Sequence, residues 1–245
     1  MFLNEFDLLD LKIAEELEMI DKLIISEADR TYQGTPKPLH LKDNPKYQHP
    51  KIELVPLASG FTEDAWENEA LQRNSLLQPF EDDDVFIVSD VDQINKKEDI
   101  PRIVEHARAR GLVRLMLTAY CYKINLKVMH YRRPASFAVT GHYLRVNQKQ
   151  LTDIRHSVGV GKRLRTQGKH FTYLGDADRI SYKIRSFSHT EFNQAQYTDP
   201  EEIERRITAQ TDPFDHGNEL VRVEVDDSYP GTILNNMEFW RKHMC

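Results

Sequence analysis

Asp90 and Asp92 are the residues of this sequence whose types and spacing most plainly invite chemistry. They stand at alternate positions directly after Val85, Phe86, Ile87 and Val88, within DVFIVSDVDQI, residues 84–94. An apolar run of this kind, rich in β-branched side chains, reads as a strand buried on both faces of a sheet. Two carboxylates at its end repel one another and resist desolvation, so they need a cation beside them. In an open α/β sheet this is the crevice outside the carboxyl ends of the strands, where ligands bind. A divalent ion held there would neutralise a diphosphate, which makes nucleotide-sugar chemistry the first expectation. A solvated acidic turn after a core strand is the plain alternative. Arg73 is the second informative residue: with Trp66, Ala70, Leu77 and Phe80 it falls on the stripe of a helix predicted over 63–80. A guanidinium on a packed face needs an anion, either a core carboxylate or a phosphate.

The elements that must position these groups follow from periodicity. Asn4 suits the N-cap of a helix at about 5–20, with Leu9, Ile13, Leu17 and Ile20 on one face. A short strand at 22–26 delivers Glu27, Asp29 and Arg30 to a loop made irregular by Gly34, Pro36 and Pro38. Residues 52–55 read as another strand. A helix at about 100–110 has Pro101 in its first turn and Gly111 as its stop, followed by strands over 112–118 and 123–129. The stretch 141–168, rich in Arg, Lys, Gln and Gly with weak periodicity, reads as loops. HFTYL at 170–174 reads as a strand, Ile180 to Ile184 as the start of a helix, and 200–209 as a charged helix before an irregular tail. Strand and helix alternate in the first half, which suggests a parallel sheet, whereas the second half looks mixed. With no repeat and no linker, one domain is expected: a nucleotide-binding half over about 1–110 and an acceptor half with tail over about 111–245.

Composition narrows the class. The chain has 245 residues, 40% hydrophobic and 29% charged, which is enough apolar matter for a real core. A net charge of −6 argues against nucleic acid as the main partner, because phosphate backbones demand a basic surface. Cys121 and Cys245 are too few for a disulfide framework and too far apart for a zinc knuckle, which fits a reducing compartment. No run approaches the ~20 apolar residues of a membrane span, and MFLNEFDLLDLK lacks the pattern of a signal peptide. The expectation is a cytoplasmic enzyme or binding protein without a transmembrane segment, with peripheral membrane contact left open.

Five segments, in order, carry a family resemblance: NEFDLLDLKI, KLIISEADRTYQGTPKPL, AWENEALQRN, DVFIVSDVDQI and GKHFTYLGDADRISYKIRSFSHTE, reaching from residue 4 to 191. On these the chain resembles glycosyltransferase family 17, whose animal member adds the bisecting N-acetylglucosamine to N-glycans. The resemblance implies an α/β fold of the GT-A type: a Rossmann-like, mostly parallel sheet with helices on both faces and a mixed, loop-rich acceptor half. It also implies an inverting transfer from a UDP-sugar, UDP-N-acetylglucosamine in the animal enzyme, with Mn2+ or Mg2+ as cofactor.

For individual residues the resemblance implies the following. Asp90 and Asp92 form the DxD-type metal motif, Asp92 as a direct ligand and Asp90 touching the donor ribose or the metal. His189, in SFSHTE, completes the metal shell; neutral imidazole suits manganese beside carboxylates. Arg73 meets the donor diphosphate or Asp90, Glu27 and Asp29 are placed for the uridine, and Lys183 reaches the leaving diphosphate. His170 belongs to the donor or acceptor pocket, although Lys169 stands where the family has tryptophan. Asp178, at a helix start, is the expected base for the acceptor hydroxyl, with Asp176 and Glu191 as rivals. The short strand that usually precedes the Asn-Glu dipeptide looks missing or displaced here. The acceptor is expected to be a surface polysaccharide, another glycan or a glycolipid precursor rather than an N-glycan. Two other functions fit the same residues: a metal-dependent phosphohydrolase, and a sugar-nucleotide-binding protein that has lost turnover.

Overall fold

A computed structural model describes residues 1–134, 136–157 and 159–245. In chain order the first half comprises α1 (Phe6–Glu16), β1 (Leu23–Ala28), β2 (Ile52–Leu57), α2 (Ala65–Asn74), β3 (Val85–Val88), β4 (Gln93–Ile94) and α3 (Ile100–Arg110). The second half comprises β5 (Leu112–Cys121), β6 (Leu126–Val128), β7 (Ser136–Thr140), α4 (Gly141–Asn147), α5 (Leu151–His156), β8 (Lys162–Thr172), α6 (Ala177–Ile184), α7 (Ala195–Thr198), α8 (Pro200–Ala209) and β9 (Leu220–Arg222), before two short terminal helices.

The α/β class holds, but the strand directions differ from the expectation. β1 and β2 form a parallel two-stranded sheet of their own. In the seven-stranded sheet β3, β7, β5, β6 and β9 lie in that order with antiparallel pairing throughout, and β8 joins β5 in parallel while pairing β4 antiparallel. The main sheet is therefore largely antiparallel rather than Rossmann-like. β3 is an edge strand, half-buried except at Val88, not the doubly buried strand its apolar run suggested. A cavity of about 490 Å³ lies between Leu23, Ile24 and Ile25 of β1 and Val85 to Val88 of β3, so the two sheets do not merge there. Beside β1, Phe2 makes a single parallel bridge to Glu27, its amide donating to the Ser26 carbonyl at 3.0 Å.

α1 is the wedge between the sheets. Leu9, with Ile13, Leu17 and Ile20, packs toward Leu23 and Ile25, as the 3.6-residue stripe predicts. Leu8 and Leu11 pack on its other side against Tyr120 and Phe171 of the main sheet. Truncating any of these buried leucines to alanine would cost ~2–5 kcal/mol. The helix begins one residue later than expected: Glu5, not Asn4, is the N-cap, and its carboxylate accepts from the amides of Leu3 and Asn4 at 3.1 and 3.2 Å. The main sheet carries helices on both faces. Ile103 and Ala107 of α3 cover Val113, Leu115 and Leu117, while Leu144, Leu151 and Ile154 of α4 and α5 cover Leu112, Phe137 and Val139.

The largest departure is 141–168, expected as loops: it holds α4, α5 and most of β8. β8 bulges where its register with β5 jumps from Met116–Arg165 to Thr118–Lys169. Gly168 sits in that bulge, where a Cβ would lie 2.6 Å from Leu117 and 2.8 Å from the Ile94 carbonyl, so only glycine permits the approach. Past the bulge His170 pairs with Gln93 of β4, tying β8 to the acidic loop. The helices at 100–110 and 200–209 match their predicted bounds. No helix among the described residues is long and apolar enough to cross a membrane.

Candidate active site

The acidic loop after β3 is held from three sides. Lys12 of α1, itself buried, donates to Ser89 Oγ at 2.8 Å and to the Gln93 carbonyl at 2.9 Å. Gln93 closes a turn on Asp90: its Oε1 accepts from the Asp90 amide and its Nε2 donates to Asp90 Oδ2, both at 3.1 Å. The Asp92 carbonyl accepts from the Phe171 amide of β8 at 2.8 Å. The loop that carries both carboxylates is thus fixed by α1, by Gln93 and by β8.

Both project into a cavity of about 490 Å³ with walls of α2, the acidic loop, the end of β8 and α6; clefts of this size accept small molecules. Cations from these walls answer the acids. Arg73, 2% exposed, donates to Asp90 Oδ1 at 3.2 Å and to Glu69 at 2.8 Å, while Arg155 approaches Asp90 Oδ2 at 3.6 Å. Burial would raise the Asp90 pKa, but Arg73 and then Arg155 hold it down to about 2. Asp92 Oδ2 accepts from Lys183 Nζ at 2.7 Å, and Lys183 also meets Glu5 at 3.2 Å. Burial opposes the charge of both partners; their mutual attraction exceeds it, so the Asp92 pKa is depressed and that of Lys183 raised. Burial opposes the Arg73 charge too, and Asp90 and Glu69 restore it. Burial also raises the Tyr32, Tyr131 and Tyr173 phenols, which keeps them protonated.

One carboxylate oxygen is left over. Asp92 Oδ1 is buried without a hydrogen-bond partner, with His170 Nε2 3.5 Å away and the His170 Nδ1 also buried and unpartnered. The expected ligand set of Asp90, Asp92 and His189 is not assembled: no group of three or more His, Cys, Asp or Glu among the described residues is disposed to hold a metal. His189 lies at the cavity rim, bonded to Glu191 at 2.8 Å and packed edge-on to Trp66 at 4.6 Å.

Of the other residues singled out from the sequence, Arg73, His170 and Lys183 line the cavity with the two acids. Glu27 is committed elsewhere: it takes Lys37 Nζ at 3.0 Å and the amides of His40 and Leu41 at 2.7 and 2.9 Å, closing the proline-rich loop. Asp29 pairs with its neighbour Arg30 at 2.8 Å and is not part of the cavity wall. Asp178 is exposed in the first turn of α6 and is absent from the wall as well, while Asp176 is the N-cap of that helix, accepting from Arg179 N at 2.9 Å. The sequence reading did not single out Glu5, Lys12, Glu69 or Ser188. Lys12 and Glu16, an i,i+4 pair inside an apolar helix pattern, were the available signal for the first helix's buried polar side.

Glu69 forms a second polar centre on the wall, taking Arg73 on Oε1 and the Ser188 hydroxyl on Oε2. The arrangement is a cavity whose wall carries cations paired with acids and, at Glu69, a carboxylate that accepts a hydroxyl. No curated protein and no solved structure matches the chain. The family model described as glycosyltransferase family 17 matches residues 1–220, and the chain belongs to that family of sugar-transferring enzymes.

Proposed function

We propose that the chain, acting as a single unit, transfers N-acetylglucosamine from UDP-N-acetylglucosamine to a hydroxyl of a glycan or glycolipid with inversion at the anomeric carbon. The observation that carries this reading is the Asp92–Lys183 pair, its acid buried, beside Arg73, Asp90 and His170 in a cavity of donor size. A diphosphate entering this cavity meets Arg73 and Lys183, each already paired with two acids, so its own desolvation must be offset by contacts to these cations and by a divalent ion.

The donor set accommodates a divalent ion in reduced form. Asp92 Oδ1 is a buried oxygen with no hydrogen to accept, and His170 Nε2 is the nearest nitrogen at 3.5 Å. Magnesium-type ions take one or two protein ligands and fill the rest with substrate phosphates and water. Asp92, with His170 beside it, would hold the ion, and Asp90 orders the loop through Gln93 and Arg73. When bound, such an ion supplies neutralisation of the leaving diphosphate.

The acceptor hydroxyl must lose a proton as it attacks. Both oxygens of Asp90 are taken, Oδ1 by Arg73 and Oδ2 by Gln93; Asp92 is reserved for the ion, and Glu5 is occupied by Lys183 and two backbone amides. Glu69 is paired with Arg73 as well, but only through Oε1. Glu69 Oε2 already accepts a hydroxyl hydrogen from Ser188. We therefore assign Glu69 rather than Asp178 as the base: the acceptor oxygen bonds to the anomeric carbon, its proton passes to Glu69, and the bond to the diphosphate breaks. Glu69→Gln should lower kcat by about 10²–10⁴ while leaving donor affinity within a few-fold.

Calorimetric titration of UDP and UDP-N-acetylglucosamine, with and without manganese, on the wild type and Lys183→Met tests the donor site. Binding in the wild type that is lost in the variant is the expected result; equal binding by both would sink the assignment.

A further inference from the structure

Trp66 stands apart from the helix stripe on which its spacing placed it. Its side chain is 41% exposed and lies on the cavity rim, in the first turn of α2 just after the N-cap Asp64. The indole N–H makes no hydrogen bond among the described residues, so its donor is available. The ring is held in place by edge contacts: His189 at 4.6 Å with planes 78° apart, and His156 at 6.0 Å with planes 70° apart. Both histidines also line the cavity and come from separate parts of the chain. Edge-on packing of this kind fixes the ring while leaving an apolar surface uncovered. An exposed, immobilised aromatic at the mouth of a polar cavity is poor economy for stability and marks a binding surface.

Glu69 lies three residues further along the same helix, so the two side chains share a face, and Glu69 carries the Ser188 hydroxyl. A pyranose ring has the matching chemistry: an apolar face of C–H bonds for the indole, and hydroxyls at its edge for the indole N–H and for Glu69. We propose that Trp66 is the platform for the acceptor's terminal hexopyranose, stacking the ring so that one of its hydroxyls reaches Glu69. The diphosphate-binding cations Arg73 and Lys183 lie with the acidic pair, which leaves the rim to the acceptor. This proposal rests on the glycosyltransfer reading above.

The test uses the full chain with Trp66→Ala and Trp66→Phe. The other tryptophan, Trp240, is 2% exposed and serves as a constant background for fluorescence. Chitobiose, cellobiose and mannobiose are titrated with UDP present, and UDP affinity is measured separately by calorimetry. The expected result is an emission change in the wild type with at least one disaccharide, abolished in Trp66→Ala, with UDP affinity held within twofold. Trp66→Phe should keep an aromatic face and retain disaccharide binding at about tenfold weaker affinity, followed by calorimetry. An unchanged disaccharide response in Trp66→Ala, or no response in a wild type that binds UDP, overturns the platform. A fall of tenfold or more in UDP affinity of Trp66→Ala would make the indole a nucleobase contact and overturns it equally. A wild type that binds no UDP at all removes the transferase reading, and this proposal with it.

Discussion

Lys169 and His170 are adjacent on β8 and therefore point to opposite faces of the sheet. On one face His170 looks into the cavity at Asp92, beside the half-buried Lys183. On the other, Lys169 lies over the rings of Tyr229 and Tyr120, at 4.7 and 5.8 Å, and donates to Ser228 Oγ at 2.9 Å. Lys169 is buried and Lys183 half-buried within one region of the fold, and their surroundings push them in opposite directions. Lys183 has carboxylates on two sides and its pKa is raised; burial around Lys169 lowers it to about 8, against the weaker pull of Asp226. Aromatic faces and a hydroxyl do not replace a counter-ion. The comparison separates a charge kept for anion binding from one that is merely tolerated.

Breaking the first site should give the largest effect. Asp92→Asn leaves the half-buried Lys183 with Glu5 as its remaining acid, so we expect destabilisation of about 2 kcal/mol together with loss of donor binding. An acidic pair considered alone repels itself and needs a cation; the Lys183 ammonium, 91 residues away, supplies one from the chain itself. Urea denaturation of Asp92→Asn, Lys183→Met and the double variant closes the cycle. The double variant should lose less than the sum of the single losses, and strict additivity would show that the pair is not coupled.

The neighbouring acid sharpens the same contrast through pH. Asp90 has a folded-state pKa of about 2 against an ordinary value of 3.8. Its depressed pKa contributes about 2 kcal/mol that is fully present above pH 4 and is lost as pH falls through 2. The stability gap between the wild type and Asp90→Asn, followed by urea titration from pH 5 downward, should therefore narrow across that window. A constant gap would mean that Asp90 does not depend on Arg73 for its charge.

The same two faces explain what the sequence made legible. Asp90 and Asp92 announced themselves by spacing, and Arg73 by its place on an apolar stripe; the fold brings them together with Lys183 and His170. β8 stayed hidden because the bulge at Gly168 breaks its alternation and because polar residues face outward along its first half. The parallel sheet was inferred from strand and helix alternation, which does not encode direction when strands such as β3 and β7 pair across the 47 residues from 89 to 135. Glu27, Asp29 and Asp178 are acids in plausible places whose partners are local: a proline-rich loop, an adjacent arginine, and solvent at a helix start. Trp66 was read as core because helical spacing reports which face a residue occupies, not whether another element covers that face.

The smallest effect belongs to the second face, and its sign is opposite. Because the Lys169 pKa is lowered from 10.5 to about 8, the unfolded chain binds more protons than the folded one between those values. Stability contributed by this group therefore rises with pH across that window, and below pH 8 its burial is a net cost. Lys169→Met removes the charge, keeps a flexible apolar stem against Tyr120 and Tyr229, and gives up the Ser228 hydrogen bond and the cation–π contacts. After those losses we expect the variant to be more stable than the wild type by about 1 kcal/mol at pH 7. The advantage should shrink toward pH 10.5, where both chains carry a neutral side chain at this position. Donor binding should be unchanged, since Lys169 faces away from the cavity and is not part of its wall. A variant less stable than the wild type at pH 7 would mean that the tyrosine rings and Ser228 stabilise the ammonium as well as a carboxylate does, and the contrast between the two faces of β8 would fall.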